Sequence, residues 1–356
     1  MQHVRRLAGR GTTENPPNRY ERIHIERHDQ AVSDTPDHRA VAPTLFYRDA
    51  SRGVLAENTS PDIPFRFSVN PYRGCEHGCI YCYARPSHEY LSFSAGLDFE
   101  RRILVKPAAA ELLRRAFLSP RWQPQTVALS GNTDCYQPAE RQLRLTRRIL
   151  EVFREFLNPV SIVTKSALVT RDVDVLAALA THRAVEVMLS VTTLDSELAR
   201  RMEPWAALPR SRLEAVRALD AAGIPVGVII APVIPGLNDE DIPRIVAAAA
   251  AAGARTVSWQ LLRLPAPVDE LFAGWLTEQF PERRERILGR LRACRGGGLN
   301  DACFGRRLRG QGVYAEQIKA LFELSARRHG LDRPLPALNT GAFRRPLRSG
   351  EQLRLC

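Results

Sequence analysis

From about residue 65 onward, apolar positions along the chain fall into two alternating patterns. Short apolar runs with strand character occupy residues 65–70, 126–130, 160–164, 185–191, 225–231 and 256–262, the lengths at which strands are found. Between them, apolar residues recur at helical spacing over 107–118, 140–156, 172–180, 195–201, 210–222 and 240–252. Pro107 suits a first helical position, Gly223 and Gly253 suit helix stops, and Asp239 can cap the helix that follows it. Six strands alternating with six helices predict an α/β fold with a parallel sheet and crossover helices. A partial (β/α)6 barrel and a doubly wound sheet both satisfy that count. In either, the chemistry belongs at the C-terminal ends of the strands.

The flanks are patterned differently. Residues 1–42 mix charges, prolines and isolated histidines without periodicity and read as an extended arm or a disordered lead-in. Beyond residue 270 the pattern weakens to helical stretches at 282–293 and 315–329, with the glycines at 296–298 as a flexible break between them. The predicted organisation is an N-terminal arm over 1–60, a core over 61–270 and a basic C-terminal helical extension over 271–356.

Composition narrows the class. Hydrophobic residues at 44% and charged residues at 25% fit a globular chain with a sizeable core. No apolar run approaches the ~20 residues of a membrane helix. The first residues carry arginines without the apolar stretch of a secretory signal, so a cytoplasmic location is expected. The net charge of +12 is uneven, since residues 271–356 hold 17 Lys and Arg against 8 Asp and Glu, a net +9. Such an end is either a footprint for phosphates or a set of solvated arginine-rich helix faces.

The sharpest chemical signal is NPYRGCEHGCIYCYARP, with Cys75, Cys79 and Cys82 spaced C-x3-C-x2-C. Of seven cysteines, these three fall within eight residues, which is not how a disulfide framework is laid out. Three thiolates on so short a loop can converge on a cubane iron–sulfur cluster, with Gly74 and Gly78 letting the backbone wrap around it. Three protein ligands for four irons leave one iron open. A ferredoxin-type centre would need a fourth cysteine, normally before a proline; Cys135, Cys294, Cys303 and Cys356 are remote, and none precedes one. A zinc site could recruit His77, but the spacing is cramped and a second C-x2-C arm is missing. Three free thiols in one loop is the bland alternative.

The spacing, with Tyr81 as the aromatic just before the last cysteine, resembles the signature of the radical S-adenosylmethionine (SAM) superfamily. That resemblance implies a partial TIM-type barrel, a [4Fe–4S] cluster on Cys75, Cys79 and Cys82, and SAM chelating the open iron. It further implies reductive cleavage to a 5′-deoxyadenosyl radical that abstracts hydrogen from a substrate, with a low-potential flavodoxin- or ferredoxin-type electron donor as partner. Tyr81 would contact the adenine region. Ser130, Asn132, Thr133 and Asp134, in SGNTDCYQPAE, would face the SAM amino group, though an N-cap turn explains them too. Lys165 in VTKS should face the cavity or a carboxylate. Ser190 in LSVTTLD resembles the ribose-facing position. An arginine near RRMEPW, Arg201 among the candidates, would pair with the SAM carboxylate unless it is a solvated helix end. The APVIPGLND turn would shape the adenine side.

Together these strings resemble the spore photoproduct lyase-like, DNA repair photolyase-related branch over roughly residues 60–265. One departure matters. The branch's lyase carries a hydrogen-donor cysteine at the end of the second strand, where this chain has Gly131; Cys135, four residues on, is either an offset donor or a buried thiol. The expected substrate is therefore nucleic acid, with a peptide or small metabolite as the alternative. The reading from a different class is a non-catalytic, zinc-stabilised nucleic-acid-binding protein.

Overall fold

The computed structural model describes residues 10–20 and 43–346; the rest of the arm over 1–9 and 21–42, and the tail from 347 with Cys356, lie outside the described residues. Strands β1 (Leu45–Arg48) and β2 (Leu55–Glu57) come first, then β3 (Phe67–Val69) and β4 (Tyr72–Arg73). Helix α1 (Leu97–Arg101), β5 (Arg102–Val105) and α2 (Ala109–Leu118) lead to β6 (Val127–Leu129). Helices α3 (Glu140–Leu143) and α4 (Leu145–Phe156) precede β7 (Val160–Thr164), and α5 (Val173–Ala180) precedes β8 (Val185–Ser190). Helices α6 (Ser196–Met202) and α7 (Pro209–Ala221) lead to β9 (Val226–Val233), and α8 (Ile242–Ala251) to β10 (Val257–Leu261). The chain continues through α9 (Val268–Gln279), α10 (Arg284–Ala293) and α11 (Val313–Arg328).

The main sheet has the order β10-β9-β8-β7-β6-β3-β2. β3 and β6 to β10 are all parallel, and β2 adds an antiparallel edge to β3. A smaller sheet, β1-β5-β4, stands beside it. The six parallel strands coincide with the six predicted runs, and β10 and β2 do not pair, so the fold is a partial barrel with an open side. Burial alternates along its strands. In β7 and β8, Val160, Ile162, Val187 and Leu189 are fully buried under the helices, whereas Ser161, Val163, Glu186 and Met188 on the other face are half-buried. The inner face is thus left partly open.

The helices form for the expected reasons. In α4, Leu145, Ile149, Val152, Phe153 and Phe156 recur at helical spacing and are buried. Burial of each large apolar side chain is worth roughly 1.5–3 kcal/mol. Asp195 caps α6 by accepting the N–H groups of Glu197 at 2.8 Å and Leu198 at 3.2 Å. Two details differ from expectation. The helix predicted over 140–156 is broken at Arg144, whose φ of 49° is left-handed. Asp239 does not cap α8; its carboxylate instead accepts the Gly236 N–H at 2.8 Å and the Tyr314 hydroxyl at 2.7 Å, closing the turn after β9.

The C-terminal region is built into the core rather than set apart. α11 packs on α8, and Phe322 stacks toward Trp259 of β10. The segment before α11 runs across the open side of the barrel. Leu261 of β10 donates its N–H to Leu308 at 2.8 Å, while Asp62, just ahead of β3, accepts from the Gly305 N–H at 2.7 Å and Arg307 Nε at 2.8 Å. The strap thereby ties the last strand to the approach of the first. Among the described residues, no helix is long and apolar enough to cross a membrane.

Candidate active site

The three cysteines sit on the loop that leaves β4, beyond the C-terminal end of β3, and are held by a dense set of protein bonds. Cys75 donates its N–H to Phe99 at 3.0 Å. Arg85, fully buried, donates to the Cys79 carbonyl through Nε at 3.0 Å and Nη2 at 2.9 Å, and pairs with buried Glu100 at 2.5 Å. Gln137 accepts the Glu76 N–H at 2.9 Å and donates to the Gly74 carbonyl at 3.2 Å. The Glu76 carboxylate accepts the Ala139 N–H at 2.6 Å and the Thr44 hydroxyl at 2.8 Å.

Part of the N-terminal arm is structural here. The Arg10 and Gly11 N–H groups reach Glu100 at 2.9 and 3.1 Å. Gly11 lies so close to the loop that a Cβ on it would fall 1.6 Å from the Gly78 carbonyl oxygen. Gly78 itself has a φ of 66°, and its own Cβ would meet Arg10. The arm therefore clamps the cysteine loop from outside, where only glycine fits on both sides.

Cys75, Cys79 and Cys82 are free of disulfides. Burial raises the pKa of all three thiols, and at Cys75 the nearby Asp134 carboxylate adds to it. Thiolates in such a pocket call for a cationic centre, which fits a cluster whose binding releases protons. Among the described residues, no three His, Cys, Asp or Glu side chains are gathered for a single metal ion. Ligands that bind separate irons of a cubane need no such gathering. His77 directs its Nδ1 at the Asp134 carboxylate, 3.4 Å away.

The other predicted residues separate into three groups. Tyr81, Lys165 and Ser190 come together at the strand tips. Lys165 Nζ donates to Ser190 Oγ at 2.7 Å and the Ala231 carbonyl at 3.1 Å, lies 4.0 Å from Glu203 and 5.8 Å from the Tyr81 ring centre. Glu203 organises this group: its carboxylate accepts from the Tyr81 hydroxyl, the Arg212 guanidinium and, at 2.9 Å, the Thr192 hydroxyl. Burial alone would raise the Glu203 pKa, but Arg212 and Lys165 bring it below the ordinary carboxylate value.

Ser130, Thr133 and Asp134 make hydrogen bonds to protein partners at the end of β6. Ser130 Oγ accepts the Cys135 N–H at 2.7 Å, and Thr133 Oγ1 donates to the Tyr72 carbonyl at 2.7 Å. Asp134 accepts from the Thr164 hydroxyl at 2.7 Å and the Lys165 N–H at 2.8 Å. Although burial opposes its charge, His77 and these bonds hold its pKa at about 2. The triplet fastens the end of β6 to β4, β7 and the cysteine loop. Asn132 remains exposed, its amide 3.4 Å from Ser87.

Two predicted residues lie away from the strand-tip group. Cys135 is fully buried in the hydrophobic core with Tyr136 and Ile149. Arg201 lies on the outer side of α6, paired with Glu197 one turn back and 5.5 Å over the Phe280 ring. The arginine inside is Arg212, on α7. Glu203 lies within the RRMEPW string, directly after α6. Arg85 and Gln137 lie within the quoted strings, but their partners Glu100, Gly74 and Glu76 are 15 to 63 residues away; Glu100 and Arg212 carried no motif, and a charge in a stretch otherwise patterned for burial was their only sign.

His88, on the turn that leaves the cysteine loop, gives the site a pH dependence. Its Nε2 meets the Arg102 carbonyl at 2.8 Å, its Nδ1 is buried without a partner, and burial lowers its pKa from 6.5 to about 4. The unfolded chain therefore binds more protons between those values, and stability falls as pH drops from 6.5 toward 4, by up to about 3 kcal/mol. Thermal melts across that range should show this slope, and His88→Gln should flatten it; an unchanged slope would place its origin elsewhere.

Residues 69–249, more than half of the chain, match the model of the radical SAM superfamily, and the chain belongs to that family. Members of that superfamily use a [4Fe–4S] cluster and SAM. Uncharacterized proteins of Mycobacterium tuberculosis and Mycobacterium bovis are each 40% identical over 222 residues, 62% of this chain and 65% of their own length. The match thus spans about 65% of the length of these curated relatives. Among solved structures, a cysteine-to-serine variant of spore photoproduct lyase superposes with a TM-score of 0.58 at 14% identity, covering 80% of this chain and 79% of that one. Spore photoproduct lyase complexed with a dinucleoside spore photoproduct gives 0.57 at 13%, with 80% and 79% covered. These structures share the fold.

Proposed function

We propose that this protein is a radical SAM enzyme acting on nucleic acid, and that Cys75, Cys79 and Cys82 hold its cluster. The observation that carries the chemistry is the three-thiol loop, glycine-cradled and clamped by Arg85, at the open end of a partial barrel. When bound, the cluster and SAM together supply one-electron cleavage of a sulfonium and a carbon radical that takes hydrogen from a substrate. The chain's own residues orient and enclose. Tyr81, fixed through its hydroxyl by Glu203, presents its ring beside the last cysteine. Lys165 and Ser190 place polar groups at the tips of β7 and β8 for the ribose and charged parts of SAM. A low-potential flavodoxin- or ferredoxin-type donor is the proposed partner for reduction.

Nucleic acid is favoured by the net charge of +12 and its concentration in the C-terminal region, together with the fold shared with a lyase seen with a dinucleoside lesion. The test is anaerobic reconstitution, then SAM and dithionite with single-stranded DNA, duplex DNA, RNA or a peptide mixture. Nucleic acid should raise 5′-deoxyadenosine formation at least about tenfold and bind with a steep salt dependence. Stimulation by peptide alone, or no nucleic-acid affinity at low salt, would overturn the substrate assignment.

A further inference from the structure

Tyr83, directly after Cys82, is 47% exposed and donates its hydroxyl to the Gly131 carbonyl at 3.0 Å, at the end of β6. Arg263, just past β10, lies with its guanidinium 5.4 Å over the Tyr83 ring centre. Among the described residues, Arg263 has no carboxylate or carbonyl partner, although it is half-buried and burial, then Arg307, lowers its pKa. A half-buried guanidinium without an anion is costly unless a ligand supplies one. A second pair stands beside it on the strap: Phe304 is 58% exposed, and Arg307 lies 4.9 Å over its ring while held by Asp62 and Ser60.

From these two ring–guanidinium pairs we infer that the mouth of the barrel binds an unpaired stretch of nucleic acid, with bases stacked on Tyr83 and Phe304 and a phosphate on Arg263. Partly exposed aromatic rings with arginines against them are how single strands are held without sequence readout, and a duplex keeps its base faces hidden. An acidic peptide would use the charges but not the rings. The position adds a reason: Tyr83 adjoins the cluster loop, so a base stacked there is brought to the reactive end of the barrel, which a base inside a duplex cannot reach. This inference rests on the nucleic-acid reading above and narrows it to unpaired strands.

The experiment is fluorescence anisotropy with the reconstituted full chain, using a labelled 12-nucleotide thymidine strand, the same strand in a duplex, and polyglutamate as competitor. The single strand should bind about tenfold or more tighter than the duplex. Phe304→Ala should weaken it by roughly 5- to 100-fold and leave duplex binding unchanged. Arg263→Ala should lower affinity about tenfold and reduce the salt slope by about one. Arg263→Lys, which keeps the charge without the planar stack, should fall between and serves if the alanine variant does not fold. Arg154→Ala, an exposed arginine on α4 outside the basic C-terminal region, is the charge-matched control and should bind as the parent. Equal affinity for strand and duplex, or variants at Phe304 and Arg263 that bind like the parent, would overturn this site while leaving nucleic acid as the substrate. Failure of the parent to bind either form would overturn the broader reading as well, and displacement by polyglutamate at equal charge would assign the mouth to acidic peptides.

Discussion

Cys79→Ala is expected to abolish cluster retention and SAM cleavage together. With two thiolates left, the loop cannot hold a cubane, and iron should fall from about four per chain to below one after anaerobic reconstitution and desalting. The brown absorption should vanish, and 5′-deoxyadenosine should fall to background. The same is expected at Cys75 and Cys82. Cys135→Ala separates these thiols from the rest: buried in the core, it should cost stability of about 1–2 kcal/mol while iron content holds. Wild-type iron in Cys79→Ala would sink the ligand assignment. Iron loss in Cys135→Ala at a temperature where the chain is folded would show that the core thiol is a ligand.

The contrast between Cys79 and Cys135 shows what was legible in sequence. The cysteine loop stood out because its pattern is local: three thiols, two glycines and an aromatic within a few residues. The six parallel strands were readable because each is a short apolar run set between helical stretches. The short strands β1, β2, β4 and β5 were not, since β1 is exposed throughout and β4 has two residues. They are specified by pairing with distant chain, not by their own pattern. α9 was missed because Leu271, Phe272, Trp275 and Leu276 pack on the far side of the cysteine loop, in a region where the periodicity had already weakened.

The polar residues of the site divide on the same principle. Lys165 was expected to face the cavity or a carboxylate, and it meets Ser190, the Ala231 carbonyl and Glu203. Asp134 looked like a ligand-facing acid because a short polar motif at a strand end serves a ligand or the fold equally well. Its carboxylate accepts from the nearby Tyr136 N–H and also meets Thr164, the Lys165 N–H and His77, the last three being partners that no spacing rule connects. Arg201 and Arg212 were indistinguishable in sequence, both being arginines on helices after the fourth parallel strand. Only the packing of α7 against β8 puts one of them inside.

That distinction carries the second large expected effect. Arg212 and Glu203 are both essentially fully buried, and the guanidinium is satisfied by Glu203, by the Ser190 carbonyl at 2.8 Å and by the Ala207 carbonyl at 2.7 Å. Removing one member leaves the other charge buried and unpaired, so Arg212→Met should destabilise the protein by about 3–5 kcal/mol. At roughly 1.3 °C per kcal/mol for a chain of this size, the melting temperature should drop by about 4–7 °C. Glu203→Gln should cost less, because the amide still bonds Tyr81 and Thr192 while Arg212 loses its counter-charge. The double variant Arg212→Met with Glu203→Leu should recover part of the loss, since a buried pair replaced by apolar groups is often close to neutral. The surface pair Arg210–Glu214 on the same helix, with side chains 89% and 51% exposed, sets the scale: Arg210→Ala should change stability by less than about 1 kcal/mol. Equal losses at Arg210 and Arg212 would show that the interior pair does not support the strand tips. Because Glu203 also holds the Tyr81 hydroxyl, the Arg212 variant should loosen the cysteine loop, and its reconstituted cluster should be lost to chelator faster than the parent's at a temperature where both are folded.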